Sequence, residues 1–146
     1  MKRGDILNMN LDIKTYMKNH HIDETDIAHT INNLTNAISF YHVNLAYRKS
    51  NETLLQCLKE IHINLLCIAY QFGTNMNTIL TMYMNKANNK LSQISKDNRK
   101  LSLFSTSQIG VLAQNTFKQV SDDDIMYALT ILYIIYTDKY NELNQK

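Results

Sequence analysis

Proline is absent from this chain, and glycine occurs only three times among its 146 residues. These are the two residues that most often break or end a helix. The long stretches between the few breaks are rich in Leu, Ile, Met, Lys and Asn. A chain of this length is most simply one domain with a core of its own. We therefore predict an all-α protein, a bundle of five or six helices that forms a single domain over residues 1–146.

Apolar periodicity divides the chain into six helical segments. They are predicted at about 11–20, 24–47, 52–72 and 76–93, from near Ser105, and from Ser121 to about Asn141. The second segment has apolar residues at alternating spacings of four and three, which indicates a buried seam; they are Ile27, Ile31, Leu34, Ile38, Tyr41 and Leu45.

The expected helix ends follow from local chemistry. We expect Asp23 or Thr25 to cap the second segment, and Gly73 to end the third. Ser105 with Gln108, and Ser121 with Asp124, have the spacing of a capping box. The polar stretch of residues 95–102 is predicted to be a linker or an exposed turn. A cluster at the second segment's entry could bind a metal, but caps are the favoured interpretation; it comprises His20, His21, Asp23, Glu24 and Asp26.

The last segment contains an apolar run, Ile125–Tyr136, in which Thr130 is the exception. A helix that is apolar all round is buried centrally or against another subunit. Residues proposed for a dimer interface are Tyr127, Ile131, Ile134 and Ile135. A central core helix is an equal alternative. The run is too short to span a bilayer, so no membrane partner is expected.

Charge and cysteine content limit the class of protein further. A net charge of +2 does not favour nucleic acid as a partner. Cys57 and Cys67 would lie about 15 Å apart along one helix, too far for a disulfide. Free thiols predict an intracellular, cytoplasmic protein, and Asp5, Asn8 and Asn10 interrupt any signal-peptide pattern at the N-terminus.

Three short motifs, each with helical spacing between its residues, follow one another along the chain. They are Asn32-Asn33-x-x-Asn36, Cys57-x-x-Glu60 before an apolar run to Gly73, and Asn85-Lys86-x-x-x-Lys90. This series resembles the MazG-like all-α nucleotide pyrophosphohydrolases, which include the dimeric dUTPases. The resemblance implies a metal helix of the form E-E-x-x-E at the first motif and E-x-x-D at the second. It further implies that Glu60 would bind Mg²⁺, and that Lys86 and Lys90 would bind phosphate.

A fainter copy of the same pattern follows. Residues 107–113 resemble the family's E-E-x-G-E-L-A, and residues 124–129 resemble the start of its E-x-x-D helix, with Asp124 at the final acid. The chain is thus interpreted as a degenerate internal duplication, with halves at 24–93 and 105–143. Asp124 would then be a second metal ligand.

Most of the family's carboxylates are replaced here, and Asn32, Asn33, Asn36 and Cys57 stand in their places. Mg²⁺ requires charged oxygen ligands, so such a site would hold it poorly. We therefore expect a non-catalytic binding or regulatory protein without a cofactor, a homodimer that also contacts a protein partner. The alternative is a divergent Mg²⁺-dependent nucleoside triphosphate pyrophosphohydrolase. A weaker alternative is a nucleic-acid-binding protein that uses Lys86, Lys90, Lys96, Arg99 and Lys100.

Overall fold

The computed structural model describes residues 12–114 and 120–145. Within these ranges the chain forms six helices and no strand, which confirms the all-α bundle. The helices are α1 (Ile13–Asn19), α2 (Ile27–Ala46), α3 (Asn51–Gln71), α4 (Met76–Leu91), α5 (Asn98–Gln114) and α6 (Asp122–Asn144). The predicted start of the first helix at residue 11, and the N-terminal residues used against a signal peptide, lie outside the described part.

Most helices begin at a side chain that accepts a hydrogen bond from a backbone N–H three residues further on. These caps are Asp12, Asp26, Ser50, Asn75 and Ser121. Each cap satisfies one of the donors that a helix N-terminus leaves unpaired. The pairing of Ser121 with Asp124 was predicted correctly. The cap predicted for α2 was wrong, because Asp23 instead accepts the N–H of Thr25 in the turn before the helix.

Three helices end in the same left-handed turn, in which two backbone N–H groups bond back to the last turn. Gly73 ends α3 with φ of 79°, as predicted. His21 after α1 and Arg48 after α2 adopt φ of 56° in the same arrangement. These two positions carry a side chain where glycine is favoured.

Helix α5 begins earlier than predicted. Asp97 accepts the backbone N–H of Lys100 (3.1 Å), so the helix starts at Asn98, and more than half of the predicted linker is helical. Ser105 is not a cap but a fully buried residue within the helix, where its Oγ accepts a hydrogen bond from Tyr136 Oη (2.7 Å). The proposed boundary at residue 105 between repeat halves therefore falls inside a helix.

Helix α6 is the centre of the bundle. It packs against α3, α4 and α5, while α2 packs against α3 and α5, and α1 lies on α3. Residues 128–137 of α6 are all buried, so this part of the helix has almost no contact with solvent on any side. The large buried side chains Tyr133 and Tyr136 fill the space between α6 and its neighbours.

The interface prediction for α6 is wrong for three of its four residues. Ile131, Ile134 and Ile135 are between 1% and 4% exposed within a single chain, so they cannot form a surface for a second subunit. Tyr127 is half-buried, and the ammonium group of Lys86 lies 4.4 Å from the centre of its ring. The central core helix was the correct alternative.

The remaining expectations concern thiols and membranes. Cys57 and Cys67 are both free, and burial raises the pKa of the Cys67 thiol to about 11. A buried thiol of this kind stays protonated and is a weak nucleophile. In the part of the chain that the structure describes, none of the helices has the length and hydropathy needed to cross a membrane.

Candidate functional site

A cleft of about 550 Å³ opens where α1, α2 and α3 meet. We call it the amide cleft, because five of its lining residues carry primary amides. Its lining consists of Tyr16, His20, Ile22, His29, Asn33, Asn36, Ala37, Phe40, Asn44, Gln56, Cys57, Glu60 and Asn64. Its volume is in the range of small-molecule sites in proteins.

Helical spacing explains how the chain builds this cleft. On α2 the lining residues recur every three or four positions, so Asn33, Ala37 and Asn44 share one face. On α3 the same holds for Gln56, Glu60 and Asn64. The two polar faces meet at the cleft, where Ala37 is the smallest lining residue.

The third wall comes from α1 and the turn that follows it. The rings of Tyr16 and His20 stack with their centroids 3.9 Å apart, and His20 Nδ1 donates to the Tyr16 carbonyl oxygen (2.8 Å). Met17 is fully buried and anchors this short helix on the bundle. The left-handed turn at His21 then brings Ile22 to the cleft.

Two of the amides have orientations that the hydrogen bonds determine. Asn44 Nδ2 donates to the Phe40 carbonyl oxygen, and Asn64 Nδ2 donates to the Glu60 carbonyl oxygen, both at 2.8 Å. A carbonyl oxygen can only accept, so the amino groups are the bonded ones. The amide oxygens of both side chains therefore remain as acceptors at the cleft.

The charge of the cleft rests on one residue. Glu60 is the only Asp or Glu in the lining, and neither Lys nor Arg contributes to it within the described residues. Burial raises the pKa of Tyr16, and the negative charge of Glu60 raises it further. The carboxylate of Glu60 thus acts electrostatically on the wall opposite.

The structure brings together most of the first two motifs. Asn33, Asn36, Cys57 and Glu60 all line the amide cleft, whereas Asn32 is exposed beside it. Lys86, Lys90 and Asp124 lie on other helices, and no lining residue of the cleft comes from α4 or α6. The proposed metal and phosphate ligands therefore do not form one constellation.

The residues present do not fit a Mg²⁺ site. One carboxylate among amides leaves the cation's charge largely uncompensated. In the described ranges, no three or more His, Cys, Asp or Glu side chains form a group that could hold a metal ion. The cluster at the entry of α2 serves other purposes: Asp26 caps the helix, and Glu24 Oε1 accepts a hydrogen bond from Tyr70 Oη (3.3 Å).

A second surface lies on the other side of α2, against α5. We call it the apolar groove; its lining is Ser39, His42, Val43, Ala46, Tyr47, Asn98, Arg99, Ser102 and Leu103. Val43 is 51% exposed, Leu103 is 65% exposed and Tyr47 is 75% exposed. Phe40, also largely exposed, continues this stripe on α2 toward the amide cleft.

Sequence reasoning missed the apolar groove. The available signal was the spacing of Phe40, Val43 and Tyr47, which places them together but off the seam of Ile38, Tyr41 and Leu45. A second apolar stripe on a helix whose core face is already filled indicates a contact surface. The residue that completes the groove, Leu103, lies on a helix whose start was predicted incorrectly.

The basic stretch considered for nucleic acid is divided between structural roles. Lys86 covers the ring of Tyr127, and Lys96 Nζ donates to the Leu91 carbonyl oxygen at the end of α4 (3.3 Å). Arg99 and Lys100 belong to the first turn of α5.

Comparison with known proteins gives no match for this chain among protein-family models, curated proteins or solved structures.

Proposed function

We propose that this chain is a non-catalytic helical binding protein that acts through protein–protein contact at the apolar groove. The observation that carries the proposal is the exposure of Val43, Tyr47 and Leu103 in one open groove between α2 and α5. Clustered large apolar side chains on a surface are typical of interaction sites, and a tyrosine is a frequent anchor in them. We place this activity inside the cell, where the free thiols remain reduced.

The charge around the groove favours one type of partner. Among the described residues, Arg99 is the only formally charged one in the lining. Arg48 and Lys100 directly adjoin lining residues in the sequence, and Lys49 follows Arg48. The neighbouring Asp97 caps α5. A groove between two helices with a basic rim suits an amphipathic helix whose apolar face is flanked by Glu or Asp.

A second copy of this chain is the other possible occupant, in line with the homodimer expected from the sequence. A symmetric dimer through this groove would bring two basic rims together, because each copy contributes the same patch. Like charges opposed across an interface are unfavourable. We therefore propose a different protein as the partner at this groove.

The test uses a synthetic helical peptide with Leu and Phe at positions i, i+3 and i+7, flanked by Glu and labelled with a fluorophore. We expect saturable binding by fluorescence anisotropy that weakens as salt rises. The double substitution Tyr47→Ser with Leu103→Ser should weaken binding about tenfold or more, because it removes two apolar anchors. Both side chains are exposed, so the variant is expected to fold.

Met82→Ser is the matched control, since Met82 is 63% exposed on α4 and contributes nothing to the groove. It should leave peptide binding unchanged. Equal affinity for a peptide with Lys in place of Glu would contradict the charge argument. Sedimentation that shows a wild-type dimer dissociating in Leu103→Asp would assign the groove to a second copy instead.

A second candidate is the nucleotide site that the family resemblance implies. It is supported by the meeting of Asn33, Asn36, Cys57 and Glu60 in one cleft. It ranks below the first because the cleft lacks the metal-binding carboxylates and has no cationic lining residue in the described part of the chain. Calorimetric titration with Mg²⁺ and a non-hydrolysable nucleoside triphosphate should give no binding heat. Binding that disappears in Glu60→Gln would reverse this order.

A further inference from the structure

The amide cleft presents hydrogen-bond acceptors. The amino groups of Asn44 and Asn64 each donate one hydrogen bond to a backbone carbonyl oxygen, of Phe40 and Glu60 respectively, which leaves the two amide oxygens as acceptors. Asn33 Nδ2 similarly lies 3.4 Å from His29 Nε2. A ligand with N–H or O–H donors can bond to these oxygens.

The formal charge of the cleft is negative. Glu60 supplies a carboxylate, and no Lys or Arg in the described ranges lines the cleft. The side-chain ion pair found in those ranges joins Lys139 to Glu142 and does not involve Glu60. A carboxylate at the edge of a cleft attracts a cation and repels phosphate or carboxylate ligands.

The remaining walls are apolar or aromatic. Ile22, Ala37 and Phe40 offer apolar surface, and the stacked rings of Tyr16 and His20 form one side. Aromatic faces attract organic cations as well as apolar groups. The volume of about 550 Å³ suits a small molecule and exceeds the size of a bare ion.

We propose that the amide cleft binds a small organic cation, a primary ammonium compound with an apolar or aromatic portion. Glu60 and the amide oxygens of Asn44 and Asn64 receive the N–H donors, and Phe40 with Tyr16 contacts the apolar portion. This site is separate from the apolar groove, and its occupation does not depend on the proposed protein partner.

The experiment is a ¹H–¹⁵N NMR titration of the whole chain with 2-phenylethylammonium chloride at pH 8. The side-chain NH₂ signals of the cleft amides report occupation directly, and we expect saturable shifts in them. Binding should be about tenfold weaker or more in Glu60→Gln, which removes one charged acceptor. Glu52→Gln, an exposed change on the same helix outside the cleft, should bind like the wild type.

Three comparison ligands separate the parts of the proposal. Neutral 2-phenylethanol and anionic 3-phenylpropanoate should each bind about tenfold more weakly or worse, and trimethyl(2-phenylethyl)ammonium should lose affinity because it has no N–H donor. Gln56→Arg adds a cation to the lining and cancels its formal charge, so it should weaken binding of the amine.

Absence of saturable shifts up to about 10 mM amine would overturn the proposal, since a specific small-molecule site of this size should bind with a lower dissociation constant. Equal binding of the alcohol, or unchanged affinity in Glu60→Gln, would also overturn it. None of these results bears on the groove, whose test depends on Tyr47 and Leu103.

Discussion

His62 is held as a neutral imidazole in the core of the bundle. Its Nδ1–H donates to the Leu58 carbonyl oxygen (2.7 Å), which leaves Nε2 to accept the hydroxyl proton of Thr137 (2.9 Å). The edges of the Tyr133 and Tyr140 rings surround it. Burial lowers the pKa of His62 to about 4, while the bond to Leu58 acts in the opposite direction.

This neutral histidine makes the protein sensitive to mild acid. The pKa of His62 is lower in the folded chain than in the unfolded chain, so between about pH 6.5 and 4 the unfolded state binds the additional proton. The contribution of the neutral imidazole to stability is fully present above pH 6.5 and declines as pH falls. At about 1.4 kcal/mol per pH unit, the loss reaches about 3 kcal/mol at pH 4. Urea unfolding at pH 7.5, 6 and 5 measures this decline.

His62→Gln is the control for that decline, since it removes the titrating group. We expect the variant to be less stable at pH 7.5 and to lose less stability between pH 7.5 and 5 than the wild type. A residual slope remains from His42, whose pKa is also lowered by burial. Parallel pH profiles for the two proteins would contradict the assignment.

Arg48 stores backbone strain at the end of α2. Its φ of 56° costs a residue with a side chain about 1–2 kcal/mol. Glycine avoids this cost, but the greater conformational entropy of glycine in the unfolded chain offsets part of the gain. Arg48→Gly should therefore raise the free energy of unfolding by about 0.5–1 kcal/mol. Chemical denaturation measures the change.

Lys49→Gly, one residue further along, is the matched change at a position outside the left-handed region. It should leave stability unchanged or reduce it slightly, since glycine gives no relief there. If both substitutions shift the midpoint equally, the strain at Arg48 does not explain the effect.

At the scale of the helix, α6 shows what an apolar pattern can and cannot predict. The run Ile125–Tyr136 predicted burial correctly, because a helix without a polar face has no stable solvated side. It could not distinguish a core helix from an interface, because both bury the same residues. That choice depends on the positions of α3, α4 and α5, which the pattern of α6 does not contain.

Helix α5 and the amide cleft also show what local sequence patterns can and cannot predict. The start of α5 was missed because its first turn is polar, and burial of Leu101 against other helices outweighs that local signal. Asn33, Asn36 and Glu60 were found because helical spacing alone aligns residues of one face. Tyr16 reaches the cleft through the packing of α1, which no spacing predicts.

Ile131 gives a test of the core position of α6. Ile131→Ala should lower the free energy of unfolding by about 2–4 kcal/mol, because it leaves a cavity around a residue that is 1% exposed. The unfolding midpoint should not depend on protein concentration. Leu103→Ala, an exposed change on α5, should stay within about 0.5 kcal/mol of the wild type. A concentration-dependent midpoint in the wild type would indicate that folding is coupled to self-association.

For the molecule as a whole, five of the six described helices, α2 to α6, share one core cluster, whereas α1 contributes no residue to it. The core cluster extends from Ile31 on α2 to Tyr140 on α6. Helix α1 has seven residues, and its only buried side chain is Met17. The amide cleft is therefore formed by two well-buried helices and one helix that is lightly attached.

This asymmetry predicts the order of opening. In native-state hydrogen exchange at increasing urea, amides of residues 128–136 should exchange only through global unfolding, whereas those of α1 should exchange through a local opening several kcal/mol lower. Met17→Ala should lower the protection of α1, because Met17 is the buried side chain that anchors this helix. The amides of α6 should still exchange only through global unfolding. Saturating 2-phenylethylammonium should raise the protection of α1, since Tyr16 contributes to the proposed site. Uniform protection across α1 and α6 would show that α1 belongs to the same cooperative unit as the core.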